Sequence, residues 1–284
     1  MLHARLIEGG IFMTELTRRG TIGVVAAGLA AAAAPGGGGP VPAARAQLTS
    51  KTFVLVHGAF CGGWIWRRVS DLLERKGLKV FSPTLTGMGE RSHLLNKNID
   101  MDTHVTDIVN VVKWEALADF CLVAHSYGGY PASGAIEQIA DRVSSIVWLD
   151  AFKPDSGQKV ADVTNEAFRK LLQGAVDKGD AGFGPPPKLS PVFINDRDQP
   201  FVASKLSAQP VGTYLQPIKL SGARERVVKR TYIRIPKYPN ADLDKAFADC
   251  KADKSWTTIE LTDSGHLAMF DAPERVTDLL LRAA

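Results

Sequence analysis

The stretch at residues 124–129, Ala-His-Ser-Tyr-Gly-Gly, constrains the fold of this chain more than any other segment. It follows the apolar run 120–123, which is typical of a buried strand, and it precedes a run with helical composition. Ala124 and Gly128 lie two positions either side of Ser126, where bulk would collide with the neighbouring strand or helix. The pattern predicts a sharp strand-to-helix turn that presents the Ser126 hydroxyl.

Two further segments fit this architecture. Residues 52–56 form a strand-like run that leads into the loop 57–60, His-Gly-Ala-Phe. Near the C-terminus, another such run leads into Asp-Ser-Gly-His at residues 263–266, before a final helix. A serine hydroxyl is a poor nucleophile at neutral pH unless a base lies within hydrogen-bond reach. We therefore predict Ser126 as the nucleophile and His266 as the general base and then acid.

Four more residues are predicted beside the nucleophile. The backbone N–H groups of Ala59 and Tyr127 are predicted to bind the oxyanion, because one follows the first strand and the other follows the serine. Phe60 and Trp64 are predicted to line a pocket for a hydrophobic or aromatic ester. Packing of the core against a helix is the alternative role for Trp64.

The carboxylate that would fix the tautomer of the histidine is open between two residues. Asp150 ends the strand-like run 143–149, 24 residues after Ser126. Asp242 follows the later run 230–235 and lies inside a predicted helix. Asp150 is favoured, because a triad requires a carboxylate at a strand end beside the histidine.

Strands and helices alternate along most of the chain, which predicts a mostly parallel sheet with helices on both faces. The predicted strands are 52–56, 79–82, 120–124, 143–149, 230–235 and 257–261, and the predicted helices include 66–76, 101–115, 241–252 and 273–282. The alternation breaks over about residues 155–228, which are too long for a simple connection. Their apolar residues predict a packed, inserted lid over the carboxyl ends of the strands.

The first 46 residues are predicted to lie outside this domain, which would span 47–284. A twin arginine precedes a modest apolar run and a Gly/Pro-rich linker, and residues 44–46 fit a small-x-small cleavage site. This order predicts a twin-arginine export signal and a periplasmic or secreted protein. The apolar run is short for a membrane anchor. Met13 is an alternative to Met1 as the initiator.

Charge and composition exclude several partners. The formal net charge is +4, and four arginines against two glutamates in residues 1–46 leave about +2 for the remainder. No basic patch is present, which argues against nucleic acid and against membrane binding beyond export. No metal is predicted, since neither His93 nor His104 has metal-ligand spacing. The three cysteines give no disulfide framework, and the oligomeric state stays open.

Several stretches carry a family resemblance. They are residues 53–59, 62–64, 84–93, 124–129, 149–154 and 265–269. Together they resemble the α/β-hydrolase superfamily, in particular bacterial pyrethroid-type carboxylesterases and plant methylesterases and hydroxynitrile lyases. The resemblance covers residues 52–284 and implies the α/β-hydrolase fold and a cofactor-free ester hydrolase with a small lid.

Two departures from the family pattern bear on function. The acid of the plant members falls where this chain has Tyr238, which supports Asp150, a position resembling that of some lactonases. The lyases carry a lysine and a threonine where this chain has Leu267 and Gly58. We therefore expect a serine carboxylesterase that acts on a small-molecule ester through an acyl-enzyme. The alternatives are a lactone hydrolase with the same triad and a non-catalytic ligand-binding protein on a hydrolase scaffold.

Overall fold

The computed structural model describes residues 51–185, 189–190 and 192–284. The predicted export signal in residues 1–46 lies outside the described residues, so the signal and the domain division at residue 46 stay predictions. Every helix in the described part of the chain is too short or too polar to cross a bilayer. All three cysteines belong to this part, where each is buried and in the thiol form.

A central parallel sheet organises the described residues. The strands are β1 (Thr52–Val56), β2 (Lys79–Phe81), β3 (Phe120–His125), β4 (Val143–Leu149), β5 (Gly182–Phe183), β6 (Gln209–Pro210), β7 (Lys229–Arg234) and β8 (Trp256–Glu260). Six of them form the sheet in the order β2-β1-β3-β4-β7-β8, while β5 and β6 form a separate antiparallel pair. The predicted mostly parallel sheet of about six strands is therefore confirmed.

Helices cover both faces of the sheet. They are α1 (Arg67–Glu74), α2 (Met101–Trp114), α3 (Gly129–Ile139), α4 (Glu166–Lys178), α5 (Gln199–Lys205), α6 (Gly212–Leu215), α7 (Ala223–Arg226), α8 (Ala241–Ala252), α9 (Ala268–Asp271) and α10 (Pro273–Ala283). Helices α2, α3 and α8 contribute to one apolar core, and α1 and α10 contribute to the other. This is the layered arrangement that the alternating pattern predicts.

The two cores arise from the alternation of side chains along each central strand. On one face lie Val54, Val56, Leu122, Ala124, Ile146 and Trp148, and on the other lie Phe53, Leu55, Cys121, Val123, Val147 and Leu149. All twelve are at most 2% exposed, as expected for strands that are covered on both faces. The central strands β3 and β4 are therefore packed on both faces, and Ser126 and Asp150 directly follow their carboxyl ends.

Residues 150–228 connect β4 to β7 and contain α4 to α7 and the β5–β6 pair. Buried apolar side chains at Leu172, Phe183, Val202 and Tyr214 pack this segment against the rest of the described chain. We call it the lid segment, because its side chains form one wall of the cleft described below.

The lid segment is joined by main-chain hydrogen bonds to the loop that follows β8. The His266 N–H donates to the carbonyl oxygen of Val192 at 2.9 Å, and the Leu267 N–H donates to that of Phe193 at 2.7 Å. Gly265 allows this approach, since a Cβ there would lie 2.8 Å from the Phe193 carbonyl group. The loop that carries His266 is therefore held by the lid segment as well as by the sheet.

Candidate active site

The serine turn is shaped by steric exclusion. Ser126 follows β3 with a φ of +53°, a backbone conformation that non-glycine residues rarely adopt. A Cβ at Gly128 would lie 2.7 Å from the His57 carbonyl oxygen, and one at Gly129 would overlap the carbonyl oxygen of Phe152. Only glycine fits at these two positions, so the turn can form only where the side chains are absent.

The structure brings together the three side chains predicted as the triad. The Ser126 Oγ lies 2.9 Å from His266 Nε2, and His266 Nδ1 lies 2.6 Å from Asp150 Oδ2. His266 is 3% exposed and Asp150 is fully buried. Asp150 follows β4, and its φ is +46°. Strands β3 and β4 are neighbours, so both side chains leave the same edge of the sheet.

Asp242, the alternative acid, is not brought to the imidazole. It lies in the first turn of α8 and is exposed to solvent. Its N–H donates to the Asn240 side-chain oxygen that caps the helix. Partial desolvation raises the pKa of the Asp242 carboxyl, and the charge of Arg169 partly opposes this. Of the two carboxylates weighed from the sequence, only Asp150 contacts His266.

The other oxygen of Asp150 is held by groups that no sequence motif indicates. Asp150 Oδ1 accepts from Arg234 Nη1 at 2.7 Å and from the Ile235 N–H at 3.0 Å. Burial by itself would lower the pKa of Arg234, but the nearby charges of Asp150 and Asp244 outweigh it and the pKa is raised. An arginine inside a strand pattern gives no local sign that it reaches a neighbouring strand end.

The predicted oxyanion residues, Ala59 and Tyr127, line the cleft beside Ser126. The loop of Ala59 is set by His57, whose Nδ1–H donates to the Gly58 carbonyl oxygen at 2.8 Å. His57 Nε2 accepts from the Leu85 N–H at 3.0 Å. Burial lowers the pKa of His57 to about 4, so the ring is neutral and can accept at Nε2.

The cleft above Ser126 holds about 750 Å³ of unfilled space, part of it open to solvent. Its walls are mostly apolar or aromatic: Phe60, Tyr127, Phe152, Val160, Val163, Phe168, Leu189, Phe193, Leu206, Tyr214 and Tyr238 are among the lining residues. No Asp, Glu, Lys or Arg lines the cleft in the described part of the chain. A pocket of this kind is typical of small-molecule sites.

The two predicted pocket aromatics differ in their placement. Phe60 lines the cleft, where its ring stacks on Phe168 at 5.7 Å between centroids. Trp64 does not line it, and its ring packs edge-on against Phe201 and Phe270 instead. The core-packing role is therefore the one that the structure gives Trp64.

An aromatic side chain covers the imidazole. The Tyr238 ring stacks on His266 with 4.2 Å between centroids and 29° between planes, and Phe193 meets the imidazole edge-on at 5.5 Å. His125 Nε2 donates to the His266 carbonyl oxygen at 2.9 Å, and the two imidazole rings lie 4.5 Å apart between centroids. Tyr238, Phe193 and His125 thus restrain His266. In the sequence, Tyr238 stands out only as the position at which the plant relatives carry their acid.

Residues 53–279 match the alpha/beta hydrolase family. The chain is 32% identical over 238 residues to the carbendazim hydrolyzing esterase of Nocardioides sp. (strain SG-4G), which covers 80% of this chain and 97% of the relative. It is 29% identical over 251 residues to methylesterase 7 of Arabidopsis thaliana, covering 82% and 96%. The chain belongs to the alpha/beta hydrolase family.

Solved structures agree on the fold. An extracellular alpha/beta-hydrolase from a Paenibacillus species superposes with a TM-score of 0.73 at 23% identity, covering 82% of this chain and 99% of that one. A pyrethroid hydrolase from Sphingobium faniae JZ-2 gives 0.66 at 20% identity, covering 82% and 96%. The predicted fold and superfamily are confirmed, and the esterases among the relatives confirm the predicted enzyme class, a carboxylic ester hydrolase.

Proposed function

We propose that this chain is a serine carboxylesterase that hydrolyses an uncharged, hydrophobic or aromatic ester through an acyl-enzyme. The observation that carries the proposal is the continuous pair of hydrogen bonds from Ser126 Oγ to His266 Nε2 at 2.9 Å and from His266 Nδ1 to Asp150 Oδ2 at 2.6 Å. This is the geometry that a nucleophile, its base and the residue that orients the base require.

The first half of the reaction makes the acyl-enzyme. The Ser126 oxygen attacks the ester carbonyl carbon while His266 Nε2 takes the hydroxyl proton. Asp150 accepts from Nδ1–H and stabilises the imidazolium that forms. The backbone N–H groups of Ala59 and Tyr127 bind the negative oxygen of the tetrahedral intermediate. His266 then returns the proton to the leaving alkoxy oxygen, the carbon–oxygen bond breaks, and the alcohol departs.

The second half regenerates the enzyme. Water enters the position of the alcohol, His266 Nε2 takes one of its protons, and the hydroxide oxygen attacks the acyl carbon. When the second tetrahedral intermediate collapses, the bond to Ser126 breaks and its oxygen regains the proton from His266. The carboxylic acid product leaves. The reaction consumes one water and uses no cofactor.

The walls of the cleft support an uncharged substrate. No Asp, Glu, Lys or Arg side chain is available among its described lining residues to pair with a charged substituent. Burying an unpaired charge there would cost more than the apolar contacts return. The aromatic rings of Phe60, Phe168 and Tyr214 offer contact to an aryl or long-chain group.

The test uses p-nitrophenyl esters of increasing acyl length with the wild type and with Ser126→Ala. We expect turnover by the wild type that rises with chain length until the cleft is filled, and a loss of at least 10³-fold in Ser126→Ala. A fluorophosphonate probe should label the wild type at Ser126. Equal rates in the two proteins would reject the esterase, and absence of labelling would favour a ligand-binding protein.

A lactone assay distinguishes the second enzyme activity, because a lactonase would use the same groups. We expect a linear aryl ester to be hydrolysed faster than a lactone of equal carbon number, with product analysis by mass spectrometry. The reverse preference would make the protein a lactone hydrolase that retains the mechanism above.

We further propose export by the twin-arginine route, on the sequence of residues 1–46 alone. Expression in a bacterial host with this pathway should yield a mature N-terminus at residue 47 in the periplasm. Replacing Arg18 and Arg19 together by lysine should retain the full-length chain in the cytoplasm. A mature N-terminus at another residue would refute the cleavage site, and export of the double variant would refute the route.

A further inference from the structure

Arg234, at the end of β7, is the most completely bonded charged side chain near the site. It is 2% exposed, and its guanidinium has five N–H donors. Nη1 donates to Asp150 Oδ1 and to the Ile235 carbonyl oxygen, Nη2 donates to the Tyr238 carbonyl oxygen and to Asp244 Oδ1, and Nε also donates to Asp244 Oδ1. All five donors are used, over 2.6–2.9 Å.

The stability of the fold does not by itself explain this set of hydrogen bonds. A buried ion pair is weak grounds for stability, because removing both charges from water costs about as much as their attraction returns. The partners differ in exposure: Asp150 is fully buried, whereas the Asp244 side chain is 63% exposed. Arg234 therefore connects the buried triad carboxylate to a carboxylate at the surface.

The bonds of Arg234 act on both groups that contact the imidazole. By occupying Asp150 Oδ1, Arg234 leaves Oδ2 directed to His266 Nδ1. By binding the Tyr238 carbonyl oxygen, it fixes the loop whose ring stacks on His266. One side chain thus sets the acid and the aromatic cover of the same histidine.

We propose that Arg234 is a positioning residue for the hydrolytic reaction: it orients Asp150 and Tyr238 around His266 and, with Asp244, sets the charge that the imidazole experiences. The proposal rests on the proposed function, since it assigns a role within the same triad. Arg234 does not line the cleft and acts on substrate only through these neighbours.

The signs of the surrounding charges give the expected pH behaviour. Around His266 lie the carboxylate of Asp150, the neutral phenol of Tyr238 and the ring of His125. Burial holds the pKa of His125 well below its ordinary value, so this ring adds no charge. Beyond them lie Arg234, which disfavours a second positive charge on the imidazole, and the negative Asp244, which offsets it.

Three variants test the proposal by kcat and by the pH dependence of kcat/KM, whose acidic limb reports the free enzyme's base. Arg234→Met removes the positive charge, so kcat should fall about 10²-fold and the acidic limb should move up by about one pH unit. Arg234→Lys keeps the positive charge but cannot make the bidentate hydrogen bonds of a guanidinium. The acidic limb should therefore lie at the wild-type pH while kcat stays low. Asp244→Asn should move the limb the other way, to lower pH.

A spectroscopic readout is independent of turnover. The proton between His266 Nδ1 and Asp150 Oδ2 should give a low-field ¹H resonance in the wild type. We expect this resonance to shift or broaden in Arg234→Met and to persist in Arg230→Met. Arg230 is the matched control, because it lies on the same strand and packs over Trp256, away from the imidazole.

The outcomes separate this proposal from the proposed function. A wild type that neither hydrolyses esters nor reacts with the fluorophosphonate refutes the function. An active wild type with an unmoved acidic limb and undiminished kcat in Arg234→Met overturns the role of Arg234 alone. If circular dichroism shows that Arg234→Met does not fold, Asp244→Asn decides: a limb that moves to lower pH supports the proposal, and an unmoved limb overturns it.

Discussion

The turn at Ser126 and the turn at Asp150 differ in what holds them, although they follow neighbouring strands of one sheet. Both residues have positive φ, +53° and +46°. The serine turn depends on close backbone packing, because the positions of Gly128 and Gly129 admit no Cβ. The acid turn is fixed by polar bonds, because Asp150 accepts from Arg234, from the Ile235 N–H and from the imidazole.

The difference shows two ways of maintaining a strained backbone at a functional site. Steric exclusion uses residues next to the strained one in the chain, and the Phe152 N–H, which donates to the Ser126 carbonyl oxygen at 3.1 Å, connects the two turns. Polar bonding uses Arg234, 84 residues beyond Asp150. We therefore expect the serine turn to respond to added volume and the acid turn to respond to altered charge.

The largest expected effect is on the turn at Asp150, which polar bonds hold. Asp150→Asn preserves volume but replaces one carboxylate oxygen by an NH2 donor, which can favour the wrong imidazole tautomer, and it removes the negative charge that pairs with Arg234. We expect kcat to fall by roughly 10³- to 10⁴-fold. Asp242→Asn, on the exposed face of α8, should retain near-normal kcat. If the two variants exchanged these results, Asp242 would be the acid.

The turn at Ser126 should be disrupted when a single methyl group is added next to it. Gly129→Ala places a Cβ against the Phe152 carbonyl oxygen, so the backbone must move. We expect the free energy of unfolding to fall by about 3 kcal/mol, with loss of esterase activity. Gly174→Ala in α4 is the control, since no atom beyond its chain neighbours and the backbone of its own helix lies within 4 Å of the added Cβ. Helix propensity should make that variant more stable by about 0.5–1 kcal/mol, as measured by urea denaturation.

Acidic pH should destabilise the native protein through two buried histidines, His57 and His104. Burial lowers the pKa values of His57 and His104 to about 4, below the ordinary 6.5. The unfolded chain therefore binds protons that the native protein excludes, and stability is lost as the pH falls from about 6.5 to about 4. Each ring should cost on the order of 2 kcal/mol between pH 7 and pH 5.

Denaturation at several pH values measures this loss. His104→Gln removes one titrating ring next to the Tyr127 hydroxyl, so its stability should depend less steeply on pH than that of the wild type. His93→Gln is the control, because His93 is exposed. A slope in His104→Gln as steep as in the wild type would mean that this histidine is not the source.

The smallest expected effect concerns the ring that covers the imidazole. Tyr238→Ala removes the stacked ring, which at about 0.5–1.5 kcal/mol should lower kcat/KM by roughly 2- to 10-fold. Tyr238→Phe keeps the stack and should remain close to the wild type. Equal losses in the two variants would assign the effect to the hydroxyl rather than to the ring.

The sequence predicts the features that neighbouring residues determine. Runs of apolar residues indicate the strands of the sheet, and the glycines after Ser126 indicate the serine turn. His266 and Asp150 could be found because each follows a strand pattern. Arg234 could not, since its role depends on the order of β4 and β7 in the sheet. Proximity in sequence predicts Trp64 at the pocket, whereas its ring packs on aromatic residues contributed from distant segments.

The pairing of the lid segment with the loop of His266 has a consequence for engineering. Because Val192 and Phe193 accept main-chain hydrogen bonds from His266 and Leu267, exchanging the whole insertion with that of a homologue would also remove a support of the base. Chimeras that graft only residues 155–185 and keep 150–154 and 192–199 should change which molecules enter while preserving turnover chemistry. In this scaffold, selectivity is best redesigned in those parts of the lid segment that make no main-chain hydrogen bond to the loop of His266.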